Sequence, residues 1–130
     1  MKPLVRGSIV VFGIFAMFQL AQAGFKQSVP VSVGTNYGEG SSGTARNSVD
    51  THQSIGCNIQ AASGTTTVYA TCSATDSFGT NVYCTTTEAP LVSAAQSVKG
   101  DSYVHFMFDG THKCTEVWVD NDSSYVPKSP

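Results

Sequence analysis

Four cysteines limit what this chain can fold into more than any other feature of its sequence. They are Cys57, Cys72, Cys84 and Cys114, and their spacing contains no C-x-x-C pair of the kind that structural zinc sites use. We therefore predict no metal site. An even number of cysteines in a small exported domain predicts two disulfides instead. Each contributes about 3–4 kcal/mol in the chain-entropy model, which matters in a domain with a small core.

The N-terminus predicts the oxidising compartment that disulfides need. Lys2 and Arg6 precede an apolar run from Ile9 to Leu20, and the small-residue pattern Ala21-Gln22-Ala23 follows it. This is the pattern of a secretory signal peptide, with cleavage after Ala23. The apolar run is shorter than the roughly 20 residues of a membrane-spanning helix. We therefore predict a signal peptide at residues 1–23, a secreted or periplasmic location, and no membrane partner after cleavage.

The charge of the chain argues against nucleic acid as a partner. The residues after Ala23 carry five Lys and Arg against nine Asp and Glu, a net charge of −4, and Arg46 is their only arginine. Proteins that bind nucleic acids present a basic face with several Lys or Arg on the phosphates. This sequence provides no such face, so no nucleic-acid partner is predicted.

Residues 24–50 are predicted to be an extended or flexible N-terminal segment. The valines from Val29 to Val33 alternate with other residues around Pro30, which suits an edge strand. Gly34 to Ser48 is rich in Gly, Ser, Thr and Asn and has no apolar periodicity. Composition of that kind is typical of a flexible or irregular connection.

Residues 51–120 are predicted to form the folded β domain, and residues 121–130 a polar tail. Apolar residues alternate with polar ones from Ile55 to Ile59, and again in Thr66 to Ala74 and in Asn81 to Thr86. Alternation of this kind predicts three half-buried strands.

A helix and a hairpin complete the predicted domain. The apolar residues between Thr87 and Lys99 recur at helical spacing, and Gly100 suits the end of a helix. Asp101 to Val119 then reads as two strands joined by a tight turn at Asp109-Gly110. The resulting order β-β-β-α-β-β is that of the OB-fold, a five-stranded, partly open barrel. We therefore predict a mainly β fold, a small five-stranded β-barrel of OB-like order.

This topology also favours one pairing of the cysteines. Reflection through the turn after the first strand places Cys57 opposite Cys72, and Cys84 and Cys114 fall on neighbouring strands. The predicted disulfides are Cys57–Cys72 and Cys84–Cys114, although sequence alone leaves two other connectivities open. Strict alternation along the last strand would turn Cys114 away from the core, unless that strand starts later or a bulge resets its phase.

The hairpin also carries the candidate ligand-binding residues. If its valines and phenylalanines fill the core, its other face presents Tyr103, His105, Met107, Glu116 and Trp118. Aromatic and polar groups together on an exposed sheet suit a glycan, a peptide or a partner protein. The alternative is that another segment covers this face and Trp118 is ordinary core, as tryptophan usually is. The candidate ligand-binding residues are therefore Tyr103, His105, Glu116 and Trp118.

No catalytic motif is found in the sequence. His105 and Glu116 would make an acid–base pair if they met, but a histidine held by its own sheet is the more common arrangement. The chain has no G-x-S-x-G motif. We predict no catalytic residue and no cofactor, and the sequence favours a protein that is not an enzyme.

Three segments resemble a group of small secreted bacterial proteins. They are SIGC, the helix with the following GDSYVHF, and KCTEVWVDNDSSYVPK, within Ala45 to Lys128. The resemblance implies an exported, disulfide-bonded small β domain and carries over no functional residue.

Three functions remain open on the sequence. The favoured one is a secreted or periplasmic, non-enzymatic binding module for a glycan or a protein. The first alternative is a small secreted inhibitor of a hydrolase such as a lysozyme or protease, acting through loops at Gly34–Ser48 or Asp109–Lys113. The second alternative is a small secreted hydrolase that uses His105 and Glu116. The oligomeric state is also left open.

Overall fold

Two antiparallel sheets form the part of the protein that the computed structural model describes, residues 24–129. The predicted signal peptide lies outside these residues. None of the described helices is long and apolar enough to cross a membrane. The elements are β1 (Ser32–Val33), β2 (Tyr37–Ser41), α1 (Ser42–Asn47), β3 (Ser54–Ala61), β4 (Val68–Thr75), β5 (Asn81–Thr86), α2 (Ala89–Gln96), β6 (Tyr103–Phe108) and β7 (Cys114–Asp120).

The prediction of a mainly β fold is confirmed, but a closed five-stranded barrel is not found among the described residues. The seven strands are ordered β1-β2-β6-β7 in one sheet and β3-β4-β5 in the other. The five predicted strands and the helix occur in the predicted order, as β3, β4, β5, α2, β6 and β7. β6 is hydrogen-bonded to β2 on one side and to β7 on the other. It therefore has no free edge with which to join β3, β4 or β5 into a barrel.

The segment predicted to be extended or flexible is in fact part of the fold. Its glycine-rich portion forms β2, which pairs with β6, and then α1, whose first four residues are buried. A Cβ atom added to Gly38 would lie 2.7 Å from the Cβ of Ala74 and 2.7 Å from the ring of Phe106. Glycine is present there because the backbone of β2 lies directly against two core side chains. The high frequency of glycine in this segment reflects close packing between the sheets. Sequence composition alone does not distinguish such packing from flexibility.

The core lies where the inner faces of the two sheets meet under α2. Phe106 and Val104 of β6 are fully buried, and Ala70, Cys72 and Ala74 of β4 face them. Burial of a phenylalanine side chain contributes about 1.5–3 kcal/mol in transfer free energy. The predicted helix is present as α2, which packs Val92 and Ala95 onto this core.

A bulge in the β6–β7 hairpin accounts for the inward position of Cys114. Glu116 is opposite Met107, whereas Cys114 is opposite Phe108, so Thr115 is an extra residue on β7. The extra residue resets the alternation, and Cys114 is only 1% exposed.

Two disulfides connect the strands. Cys84 is bonded to Cys114, with a Cα–Cα distance of 5.0 Å, and joins the two sheets. Cys57 is bonded to Cys72 across β3 and β4, with a Cα–Cα distance of 4.0 Å. These are the two pairs predicted from the sequence.

Candidate functional site

The outer face of the four-stranded sheet carries aromatic and acidic side chains from three of its strands. Alternation along β6 sends Val104, Phe106 and Phe108 inward, so the residues between them face outward. Cross-strand pairing then adds residues of β2 and β7 to the same face. We call this surface the Trp118 face; it consists of Tyr37, Glu39, Tyr103, His105, Met107, Glu116, Trp118 and Asp120.

Trp118 is exposed on this face, on the edge strand β7. Its relative accessibility is 57%, so no described segment covers it, and the alternative that Trp118 is ordinary core is wrong. Trp118 is directly opposite His105 on the neighbouring strand. The ring of Tyr103 lies 6.2 Å from the indole at an interplanar angle of 79°, an edge-to-face arrangement.

One carboxylate oxygen connects two of the predicted residues. The hydroxyl of Tyr103 donates a hydrogen bond to Oε2 of Glu39 at 2.9 Å, and Nδ1 of His105 lies 3.2 Å from the same oxygen. The side chains of His105 and Glu39 are 19% and 36% exposed. Burial of the phenol, together with its hydrogen bond to Glu39, raises the pKa of Tyr103 well above its ordinary value. Tyr103 therefore remains a hydrogen-bond donor throughout the physiological pH range.

The C-terminal tail also contributes to the site. Tyr125 stacks on Tyr103 with ring centroids 5.4 Å apart, and its hydroxyl lies 3.3 Å from Oδ2 of Asp120. Burial and the charge of Asp120 raise the pKa of Tyr125. Two main-chain hydrogen bonds join Gln27 to Ser124 and Val126, which hold the tail in place. The predicted polar tail therefore supports the aromatic ring that carries the Glu39 hydrogen bond.

The structure does not bring His105 and Glu116 together as a hydrogen-bonded pair within residues 24–129. Glu116 is opposite Met107 and is exposed, whereas the hydrogen bond of His105 is made to Glu39. The arrangement favours a positioned imidazole over an acid–base pair of these two residues.

Sequence reasoning missed Glu39, Tyr37 and Tyr125. Tyr37 stacks on His105 with centroids 6.2 Å apart at 17°. Glu39 and Tyr37 lie in the segment whose composition suggested flexibility, and Tyr125 lies in the tail. The alternation Tyr37-Gly38-Glu39-Gly40 is a period-two pattern, and it could have indicated a strand if glycine had been counted as the inward residue.

The charge of the Trp118 face is negative. Glu39, Glu116 and Asp120 belong to it, and its eight members include no lysine or arginine. Within the described residues no group of three or more His, Cys, Asp or Glu side chains is arranged to hold a metal ion. The rings of this face can stack on an apolar or cationic group. Its carboxylates can accept hydrogen bonds from a polar or cationic ligand.

A second exposed feature is the turn between β6 and β7. Oδ1 of Asp109 accepts hydrogen bonds from the main chain of Thr111 and Lys113 and from the hydroxyl of Thr111. The same hydrogen bonds lower the pKa of Asp109. His112, at a φ of 60°, stacks between Tyr83 and Phe108. These contacts give the turn one defined conformation.

An open groove of about 500 Å³ lies elsewhere, between the start of β4 and α2. Threonines, Val68, Val92 and Gln96 are among the residues that line it, and none of the lining side chains titrates. This groove therefore has no acid–base chemistry of its own.

Comparisons of the chain with protein-family models, with curated proteins and with solved structures found no match.

Proposed function

We propose that this protein is a non-enzymatic binding module, secreted or periplasmic, whose ligand is a glycan or a protein segment that rests on the Trp118 face. The observation that carries the proposal is the 57% exposure of the protein's single tryptophan on an outer sheet face, beside the ring of Tyr103. Tryptophan is usually highly buried, and exposed aromatic patches with a polar rim are typical of interaction sites.

The rigidity of the face supports binding. Tyr103 is fixed by its hydrogen bond to Glu39, by the edge of Trp118 and by the ring of Tyr125. Side chains that are already ordered lose little conformational entropy when a ligand binds, so more of the contact energy appears as affinity. The exposed carboxylate of Glu116 can accept hydrogen bonds from sugar hydroxyls or from a basic side chain.

Export is supported by the two disulfides, which persist in oxidising compartments. The signal-peptide pattern at residues 1–23 and the resemblance to small secreted bacterial proteins point in the same direction.

The experiment uses Trp118 as its own reporter. Because the chain has one tryptophan, its fluorescence reports only on this face. We expect a ligand found by screening glycans and envelope or host proteins to change the emission. Trp118→Ala has no tryptophan, so its binding is measured by isothermal titration calorimetry. We expect this variant to bind at least about tenfold more weakly, as the loss of an aromatic anchor does. Phe78→Ala is the matched control, because Phe78 is 91% exposed in the turn between β4 and β5.

Two results would contradict the proposal. The first is a folded protein that binds nothing in either screen. The second is a ligand that Trp118→Ala binds as well as the unmodified protein does. A ligand lost equally in Phe78→Ala would move the site away from the Trp118 face.

Of the two loops predicted for the inhibitor alternative, one is exposed enough to enter an enzyme's cleft. Gly34–Ser48 contains β2 and α1, and most of it is buried or half-buried, so it cannot enter an enzyme's cleft. The turn at Asp109–Lys113 is exposed and held in one conformation, next to a disulfide at Cys114. Inhibition of a lysozyme or protease that is lost in Asp109→Ala would support this function. No inhibition across a panel of such hydrolases would reject it.

A further inference from the structure

β3 is an edge strand of the three-stranded sheet, and β4 is the one strand of residues 24–129 with which it pairs. It is eight residues long, Ser54–Ala61. An edge strand presents a row of unpaired main-chain donors and acceptors to which another strand can be added. The length of this edge makes it the most extended template of that kind on the molecule's second sheet.

The outward main-chain groups of β3 can be identified from its register. Cys57 is opposite Cys72 with a Cα–Cα distance of 4.0 Å, the close spacing of a non-hydrogen-bonded antiparallel pair. The N–H and C=O groups of Cys57 therefore point away from β4, and alternation gives the same direction for Ile55, Ile59 and Ala61. The contacts of Ile55 confirm this direction, because its carbonyl accepts a hydrogen bond from the Ser42 hydroxyl, outside the sheet, at 3.4 Å.

Only one end of this edge is covered. Ser42 of α1 lies beside Ile55, but no other described residue donates to or accepts from the outward main chain of Cys57 or Ile59. The free part is therefore Cys57–Ala61. Natural proteins protect such edges with charged residues, proline or short length. β3 contains no charged residue and no proline.

Two other edges of the sheets show the protection that β3 lacks. β1 is two residues long and follows Pro30. β5 is covered near its end, where the main chain of Thr85 donates to the carbonyl of His112 at 2.9 Å. β3 is therefore the longer edge of the three-stranded sheet, and five of its eight residues are uncovered.

We propose that the free edge of β3 pairs with the same edge of a second copy of this chain, antiparallel about a two-fold axis at Ile59. The two three-stranded sheets then become one continuous sheet. In this register Ile59 is opposite the Ile59 of the second copy, and Cys57 is opposite its Ala61. This is the symmetric register that uses only the uncovered residues.

A second copy is the occupant that the chemistry of this edge fits. On the outer face the register sets Asn58 opposite the second copy's Gln60, two amides that can each donate and accept. On the inner face it brings together two copies of the half-buried Ile59. The described chain has a net charge of −4, and this uncharged strand is a place where two copies approach without like charges meeting. The pairing is short, so we expect a weak, concentration-dependent dimer.

The test begins with sedimentation equilibrium of the protein alone, expressed from the full-length sequence. We expect a monomer–dimer equilibrium that the double variant Asn58→Lys, Gln60→Lys weakens about tenfold or more, since like charges directly opposite each other are destabilising. A second chain with Asn58→Glu and Gln60→Glu should be weakened in the same way. Mixing the two variants should restore association, because each lysine then meets a glutamate.

Three measurements keep this test falsifiable. Thr85→Lys with Thr87→Lys adds the same charge at exposed positions near the other edge of the sheet and should leave the dimer unchanged. Circular dichroism confirms that each variant is folded. In the unmodified protein, hydrogen exchange of the Cys57 and Ile59 amides should slow as concentration rises.

The proposal is overturned by a protein that stays monomeric up to about 1 mM, a concentration at which a binding free energy of about −4 kcal/mol would already be detected. A dimer that the lysine variant leaves equally strong would also overturn it, and so would one that the charge-swapped mixture does not restore. The Trp118 face lies on the other sheet, so none of these results bears on ligand binding there.

Discussion

The hydroxyl of Tyr103 lies 2.9 Å from Oε2 of Glu39, across the boundary between β6 and β2. These residues are far apart in the chain, and their hydrogen bond ties the glycine-rich strand to the hairpin. The same oxygen lies 3.2 Å from Nδ1 of His105. A candidate site that sequence assigned to one hairpin is therefore built on three strands.

The first prediction concerns the hydroxyl of Tyr103. Tyr103→Phe removes one hydrogen bond to a half-buried carboxylate, and we expect the free energy of unfolding to fall by about 0.5–1.5 kcal/mol. Urea denaturation near pH 7 measures this loss. Tyr69→Phe is the control, because Tyr69 is half exposed on the other sheet. Equal effects of the two substitutions would show that the Glu39 hydrogen bond contributes nothing.

Alkaline pH tests the same contact independently. The pKa of Tyr103 is higher in the folded protein than in the unfolded chain, where tyrosine titrates near pH 10. The stability that this difference supplies is therefore complete below about pH 10 and is lost as pH rises through the folded-state pKa. We expect Tyr103→Phe to show a smaller loss of stability above pH 10 than the unmodified protein. Parallel curves for the two proteins would contradict the assignment.

The second prediction tests whether β2 is packed as described. In Gly38→Ala the new methyl group would lie 2.7 Å from both Ala74 and the ring of Phe106. Overpacking of this kind costs about 1–3 kcal/mol. Gly56→Ala is the matched control on β3, because a Cβ there meets nothing within 4 Å. We expect it to be neutral or stabilising by up to about 1 kcal/mol, through the lower entropy of the unfolded chain.

Thermal or urea denaturation of the two glycine variants shows whether β2 is packed against these core side chains. A loss of stability in Gly38→Ala that is no larger than in Gly56→Ala would mean that this segment is not packed between the sheets. The flexible N-terminal segment inferred from composition would then be the better description.

Periodicity in the sequence identified the elements that bury large side chains. β3, β4, β5, α2, β6 and β7 each repeat apolar residues at the spacing of their structure, and the cysteine pairs follow from their order. β2 was not predicted because its inward residues are Gly38 and Gly40, which have no apolar side chains. The predicted barrel followed from the element order alone, which did not include β2 as the partner of β6.

The candidate site was predictable only in part. Alternation correctly placed Tyr103, His105, Glu116 and Trp118 on one face of the hairpin, because each is out of phase with the buried phenylalanines or Val117. Whether anything covers that face depends on contacts between distant segments, which a local pattern does not encode. Glu39 and Tyr125 reach the site through such contacts.

The third prediction compares the two disulfides. Cys84 and Cys114 are 30 residues apart in the chain, and Cys57 and Cys72 are 15 apart. In the chain-entropy model a loop of twice the length is worth about 0.6 kcal/mol more. Replacing Cys84 and Cys114 by alanine should cost about 3–4 kcal/mol and exceed the cost of replacing Cys57 and Cys72. Denaturation of both double variants shows which loses more free energy of unfolding. A larger loss on removal of Cys57–Cys72 would show that loop length does not determine the contribution of each disulfide.

The last prediction concerns Asp50, which lies in the turn that leads into β3. Its carboxylate accepts hydrogen bonds from the side chain and main chain of Gln53 and from the main chain of His52, and these lower its pKa to about 2. The side-chain oxygen of Gln53 in turn accepts a hydrogen bond from the main chain of Val31 at 2.8 Å. Asp50 therefore orients the group that holds the N-terminal segment beside the second sheet.

Acid titration should reveal this role of Asp50. Because its folded-state pKa is below the value of 3.8 for an unperturbed aspartate, the stability it supplies is present above about pH 4 and is lost as pH falls toward 2. Asp50→Asn should lower stability at pH 6 and flatten its decline between pH 4 and 2, as measured by urea denaturation at each pH. Asp101→Asn is the control, since Asp101 is exposed in the turn before β6. An Asp50 carboxyl that titrates near 3.8 by NMR, or a decline that Asp50→Asn leaves unchanged, would show that these hydrogen bonds do not hold the segment.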